Sequence, residues 1–241
     1  MAKRGEKEAK EAEKRARHVQ EIAEAKARKA ARQAGIVLER TEQVKEDIPK
    51  ILIVCEGKNT EPSYFEKFKL STANIVVLGK GFNTVALVRQ AQQLSKLDNY
   101  EQVWCVFDRD SFPANDYNNA ITTAAGLGYG TAFSNQSFEY WLILHFDDNQ
   151  GGGMHRRDYH DKLNALLKPY DLVYEGEDSK MVTEDMFDLM MEIDERTSKR
   201  RLDLAIARAR RNFDLFDHTN YAIEESSTTV FRLAEELLKY V

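Results

Sequence analysis

Two pairs of acids stand where apolar runs stop. Glu56 and Glu61 bracket EGKNTE directly after ILIVC, and Asp108 and Asp110 form DRD directly after QVWCVF. A plain strand-to-helix turn needs a glycine and a capping residue, not two acids and a lysine. Unbroken apolar runs of this length mark strands buried on both faces. In an open parallel sheet, ligands bind beyond the carboxyl ends of the strands, so Glu56 and the two aspartates share one edge. Side chains two apart in extended backbone point the same way, so Asp108 and Asp110 project together. Carboxylates at close range repel in a partly dry site, and a divalent cation removes that cost. Mg²⁺ takes oxygen ligands and keeps several waters. It suits a sparse acid site that shares its ion with a phosphate, with Mn²⁺ as an alternative.

Glu139 joins these acids if it opens the helix after a fourth strand, where a helix N-terminus favours negative charge. Glu61, in the first turn after Glu56, could complete a second metal site. Two cations about 3.5–4 Å apart clamp the attacking and leaving oxygens of a phosphodiester. A lone DxD is commonly a structural loop cap. The conjunction of EGKxxE after one apolar strand and DxD after a later one is what points to a shared metal site.

The elements that must position these groups alternate. Strands are expected at residues 51–55, 74–78, 102–107 and 128–133. Helices are expected at 60–70, from 83 or 84 to 97, and at 115–125, followed by the apolar FEYWLILHF helix. Thr60 is expected to cap the first helix, and Ser134 or Asn135 the last. This order argues for an α/β fold with a parallel sheet flanked by helices. Past the glycines at 151–153 the pattern is helical, over 158–167, 183–192, 199–212 and 227–240, with 170–178 irregular. The organisation expected is a charged helical or disordered arm at 1–48, a metal-binding core at 49–150, and a mainly helical extension at 151–241 packed on that core.

The net charge of −5 excludes a globally basic nucleic-acid binder, and a hydrophobic fraction of 42% suffices for a core. The sign is uneven: residues 1–32 carry 11 Lys and Arg against 6 Glu. A basic arm on an acidic body often finds a polyanion; a frayed, solvated helix is the other reading. The two cysteines, Cys55 and Cys105, lie in apolar runs and fit a reducing cytoplasm. No apolar stretch is long enough for a membrane span. Arg200, Arg208 and Arg211 share a face at helical spacing, which reads either as a nucleic-acid stripe or as partners for the surplus acids. Gly79-Lys80-Gly81 lacks the Walker A pattern and reads as a turn. His145 reads as a core histidine, Tyr140 and Trp141 as divided between surface and core, and His155, Arg156, Arg157 and His160 as a loop or a phosphate contact.

At ILIVCEGKNTEPSYFEKF, VWCVFDRD, SNQSFEYWLILHF and SSTTVFRLAEEL the chain resembles the RloB-like family of prokaryotic Toprim proteins, over about residues 51–241. The resemblance implies a Toprim-like sheet in which Glu56, Asp108 and Asp110 bind Mg²⁺ and Glu139 is a further site acid. It also implies a nuclease acting on nucleic acid, with RNA such as tRNA favoured over DNA. The expected setting is phage defence or restriction, with an RloA-type ATPase as partner. Within that reading Lys58 could touch a phosphate, or be a solvated loop lysine. Lys180 could supply a transition-state cation if the extension folds over the edge, or be a surface lysine. A non-catalytic regulatory subunit of an ATPase complex is the alternative, and a homo-oligomer stays open.

Overall fold

The computed structural model describes residues 48–79, 84–109, 113–150, 156–176 and 179–241, with residues 20, 24, 26 and 154. The chain divides into two units, Met1–Asp47 and Ile48–Val241. In the first, Gln20, Glu24 and Lys26 are helical and exposed. Apart from Ile48, the rest of the expected arm lies outside the described residues, as do Asp110, Lys80, the glycines at 151–153 and His155. No helix among the described residues is long and apolar enough to cross a membrane.

In the second unit, β1 (Lys50–Cys55), β2 (Asn74–Gly79), β3 (Gln102–Asp108) and β4 (Gly130–Ser134) form one parallel sheet in the order β2-β1-β3-β4. β1 takes an inner place because Ile51, Leu52, Ile53, Val54 and Cys55 need cover on both faces, and all are fully buried. Helices α1 (Thr60–Phe65), α2 (Thr84–Leu94), α3 (Ala114–Gly126) and α4 (Glu139–Leu144) alternate with the strands. α1 stops short of residue 70. Phe68 instead turns back to pack edge-on against Tyr64 and Phe187, with ring centroids 5.6 and 5.2 Å away. Burial here overrides helix propensity.

The C-terminal half adds α5 (Arg156–Leu167), α6 (Glu184–Met191), α7 (Arg201–Phe213) and α8 (Val230–Leu238). Two expectations need correction. Lys199 and Arg200 do not begin a helix; they form β6 (Lys199–Arg200), paired antiparallel with β5 (Ile193–Asp194). Residues 227–229 are not helical. They run along β4, where Asn135 N–H donates to Ser227 O and Thr229 N–H to Phe133 O, both at 2.8 Å. β4 is an edge strand whose outer polar groups need partners, and a helix begun at Ser227 would leave them unmet.

Candidate active site

The site begins where β1 ends. Glu56 N–H donates to Val106 O at 2.8 Å, continuing the β1–β3 ladder one residue past Cys55. Glu56 is therefore held between the two central strands. A Cβ at Gly57 would collide with the Glu61 carboxylate, which lies against this hinge. A Cβ at Gly79, the last residue of β2, would stand 2.6 Å from Gly57 O and 2.8 Å from Lys58 Cα. Only glycine allows so close an approach of backbone to backbone. The EG pair thus places one acid, and makes room for a second.

Thr60 does not cap α1. Asn59 occupies that position without a side-chain bond. The Thr60 hydroxyl instead donates to Lys180 O at 2.8 Å and lies 2.9 Å from the Tyr174 hydroxyl. Nor do Ser134 and Asn135 cap α4. Ser134 belongs to β4, and Asn135 Nδ2 donates to Tyr221 O. The acceptor at the start of α4 is Asp108: its Oδ2 receives the Phe138 N–H at 2.9 Å. The end of β3 is thereby tied to the helix that carries Glu139. The Glu139 side chain is buried, and its two oxygens take hydroxyl donors, Tyr174 on Oε1 at 2.9 Å and Ser137 on Oε2.

Buried titratable groups register which charges surround them, because the interior screens poorly. Burial first, then Glu61, and further down Asp108, push the Cys55 thiol well above its usual range. Burial and then Asp108 raise the Tyr117 hydroxyl; Arg109 opposes them, and Glu224 and Glu56 add to the rise. Burial and then Glu139 raise Tyr174, with Glu61 contributing less. Asp108 is thus felt beside Glu61 at Cys55 and beside Glu56 at Tyr117, and Glu61 beside Glu139 at Tyr174. The contacts agree: Glu56 is bonded to β3, Glu61 lies against Gly57, Asp108 takes the Phe138 N–H beside Glu139, and Tyr174 joins Glu139 to Thr60, so that four acids from three stretches of sequence lie along the carboxyl edge. Asp110 lies outside the described residues.

The segment between α5 and α6 closes over this edge. Tyr174 is fixed from behind: its N–H donates to Asn164 Oδ1 at 2.8 Å, and its carbonyl accepts from Asn164 Nδ2 at 3.0 Å. Val182 N–H donates to the Ser63 hydroxyl at 2.8 Å. The backbone of Lys180 therefore reaches the start of α1, the condition on which its expected role depended. Lys58 is exposed at the hinge. Tyr174, Thr60 and Ser137 went unnoticed in the sequence as partners of the acids. Tyr174 is 35 residues from Glu139 and 114 from Thr60, and no local periodicity signals such a contact.

The three arginines do not present a common free face. Arg200 donates to Asp203 at 2.6 Å, and Arg208 is half-buried with Nη1 2.7 Å from Leu144 O. Arg211 forms a two-pronged pair with Asp148, Nη1 to Oδ2 at 3.1 Å. Tyr140 and Trp141, expected to divide between surface and core, are both fully buried. His160 is half-buried under the segment that carries Tyr174, with Nε2 3.1 Å from Tyr174 O. An open, largely apolar groove of about 740 Å³ lies between α7 and α8, lined by Ile206, Leu215 and Leu238 among others. Glu56, Glu61, Asp108 and Glu139 do not line it.

The acids offer only oxygen donors, the chemistry of Mg²⁺ or Mn²⁺ rather than of a soft metal. The side-chain-free cradle at Gly57, filled by the Glu61 carboxylate, fits a site built to crowd acids together. Among the described residues, no group of three or more His, Cys, Asp or Glu side chains is close enough to hold a metal ion. The third expected ligand, Asp110, is not among those residues.

No curated protein and no solved structure matches the chain. The family described as RloB-like protein matches residues 51–237. That span runs from the first buried residue of β1 into α8, and takes in the sheet, all the acids and the covering segment. The chain belongs to the RloB-like, Toprim-domain family.

Proposed function

We propose that the carboxyl edge hydrolyses phosphodiester bonds in nucleic acid, with RNA, tRNA included, favoured over DNA. The observation that carries this reading is the gathering of Glu56, Glu61, Asp108 and Glu139 at the end of a parallel sheet, in a chain of this family. Glu56, Asp108 and Asp110 would hold Mg²⁺ or Mn²⁺, with Glu61 beside them. Bound there, the cation polarises phosphoryl oxygens and makes water a better nucleophile. Glu139, oriented by Tyr174 and Ser137, is suited to accept a proton from the attacking water, since each carboxylate oxygen keeps a second lone pair. Lys58 at the hinge would contact a substrate phosphate. Lys180 would offset negative charge in the transition state. An RloA-type ATPase is the proposed partner.

A regulatory subunit without catalysis is the second reading. It is favoured by the engagement of both Glu139 oxygens. The test is cleavage of tRNA, single-stranded RNA and duplex DNA with Mg²⁺ or Mn²⁺, alone and with the ATPase. Glu56→Gln is expected to lower cleavage by about 10³-fold, several kcal/mol of transition-state stabilisation, while the fold is retained. Full cleavage by Glu56→Gln would remove Glu56 from the mechanism. A wild-type protein inactive under every condition would favour the regulatory reading.

A further inference from the structure

Directly after Asp108, Arg109 leaves β3 with its N–H bound to Ser134 O at 3.0 Å. Its guanidinium is mostly buried, and Nη1 lies 3.2 Å from Glu225 Oε1. The Gln136 amide, from the loop after β4, donates to the same oxygen. Two donors from the ends of neighbouring strands thus converge on one oxygen of one anion. We propose that Arg109 and Gln136 form a phosphate-binding pair for the nucleic-acid substrate, and that Glu225 occupies it as an internal stand-in anion in the free protein. The inference rests on the nuclease reading and names the residues that would hold the substrate backbone.

Three observations separate this arrangement from a simple tie between β3 and the C-terminal segment. First, Arg109 has a donor that the carboxylate does not use: its Nε is buried without a hydrogen-bond partner among the described residues. A guanidinium presents its donors as a fork that matches phosphate oxygens, and one prong here is unclaimed. Second, Gln136 has φ 82, a left-handed conformation unusual for a residue with a side chain. Its neighbour Asn135 is pinned on both sides, by Ser227 O and Tyr221 O. The loop holds an unfavourable backbone to aim this amide, and such conformations cluster at ligand-binding positions. Third, the pair belongs to the acid edge. The Tyr117 hydroxyl lies within the influence of both Asp108 and Arg109. Buried Tyr159, pushed up to about 12 chiefly by burial, feels Glu225 and Asp108 together.

A substrate phosphate entering the pair must displace Glu225, so removing that charge should strengthen binding. The experiment measures affinity of the full chain for a short single-stranded RNA, with Ca²⁺ in place of Mg²⁺ to prevent turnover; tRNA and duplex DNA serve as parallel probes. Glu225→Gln is expected to bind roughly tenfold tighter, since a like charge is removed from the path of the phosphate. Arg109→Gln should bind roughly tenfold more weakly and lower the salt dependence by about one phosphate contact. Gln136→Gly suits the left-handed backbone and should fold at least as well, yet bind more weakly. Joining Arg109→Gln to Glu225→Gln should cancel the gain, because the two residues act through one contact. Unchanged or weaker binding by Glu225→Gln, beside a wild type that does bind, would make the pair structural and leave the nuclease reading standing. Absence of binding by the wild type to every probe would overturn both.

Discussion

The two ends of α4 treat their charged groups in opposite ways. At its start, Glu139 is buried but held by two hydroxyls, and Asp108 reaches across from β3 to take the Phe138 N–H. At its end, Arg208 is drawn in to cap the Leu144 carbonyl. His145, next in the chain, has Nδ1 3.0 Å from Trp141 O, and burial holds it down at about 3. Hydroxyl partners orient the Glu139 charge without opposing it. The Arg208 charge is committed to closing a helix, and the His145 charge is suppressed. One six-residue helix thus separates an end where a buried charge is held by hydroxyls from an end where charge is spent on packing.

The largest effect that would sharpen this contrast is at Tyr174. Tyr174→Phe removes the donor to Glu139 and, with it, the contact with the Thr60 hydroxyl. Cleavage should fall by roughly 10–100-fold, the usual range for a group that orients a site residue. The loss should lie in kcat rather than KM, because Tyr174 is placed to touch Glu139 and not the substrate. Steady-state kinetics check this, and an unchanged kcat would show that the Glu139 carboxylate needs no positioning.

At the other end, Arg208→Ala should cost about 1.5–3 kcal/mol of stability, the range for a hydrogen bond to a charged group. The salt dependence of nucleic-acid binding should not change. Denaturant unfolding and binding at graded salt measure the two. A binding slope reduced by about one phosphate, with stability intact, would return Arg208 to the nucleic-acid stripe.

His145 gives the smallest and most specific signature. Its folded value near 3 lies below the ordinary 6.5, so between those values the unfolded chain holds one more proton. The stability His145 allows is complete above 6.5 and falls as pH drops, by about 1.4 kcal/mol per pH unit. His145→Gln should flatten that stretch of the stability curve by one proton, as urea unfolding at neutral and mildly acidic pH would show. An unaltered slope would mean that His145 does not titrate on unfolding.

The parallel sheet was legible because β1 and β3 are buried on both faces and read as unbroken apolar runs. The edge they share followed from parallel order, and with it the company of Glu56 and Asp108. The lengths of α1 and α8 were not legible. Phe68 leaves its helix to reach Phe187, and residues 227–229 stay out of α8 to pair with β4, both contacts between distant segments. The same limit hid Tyr174 and Thr60. Of the two readings of Arg200, Arg208 and Arg211, partnership with surplus acids describes Arg200 with Asp203 and Arg211 with Asp148; spacing alone did not show that Arg200 lies in β6, or that the Leu144 carbonyl takes Arg208.

The central claim is that the acids at the carboxyl edge act together on a divalent cation. Calorimetric titration of Mn²⁺ into the wild type, Asp108→Asn and Glu56→Gln tests it most directly, because it reads binding without requiring the substrate to be known. The account predicts a saturable site in the wild type and affinity lowered by at least about 100-fold in each variant, with all three proteins equally folded before metal is added. Equal affinity in the wild type and both variants would contradict it.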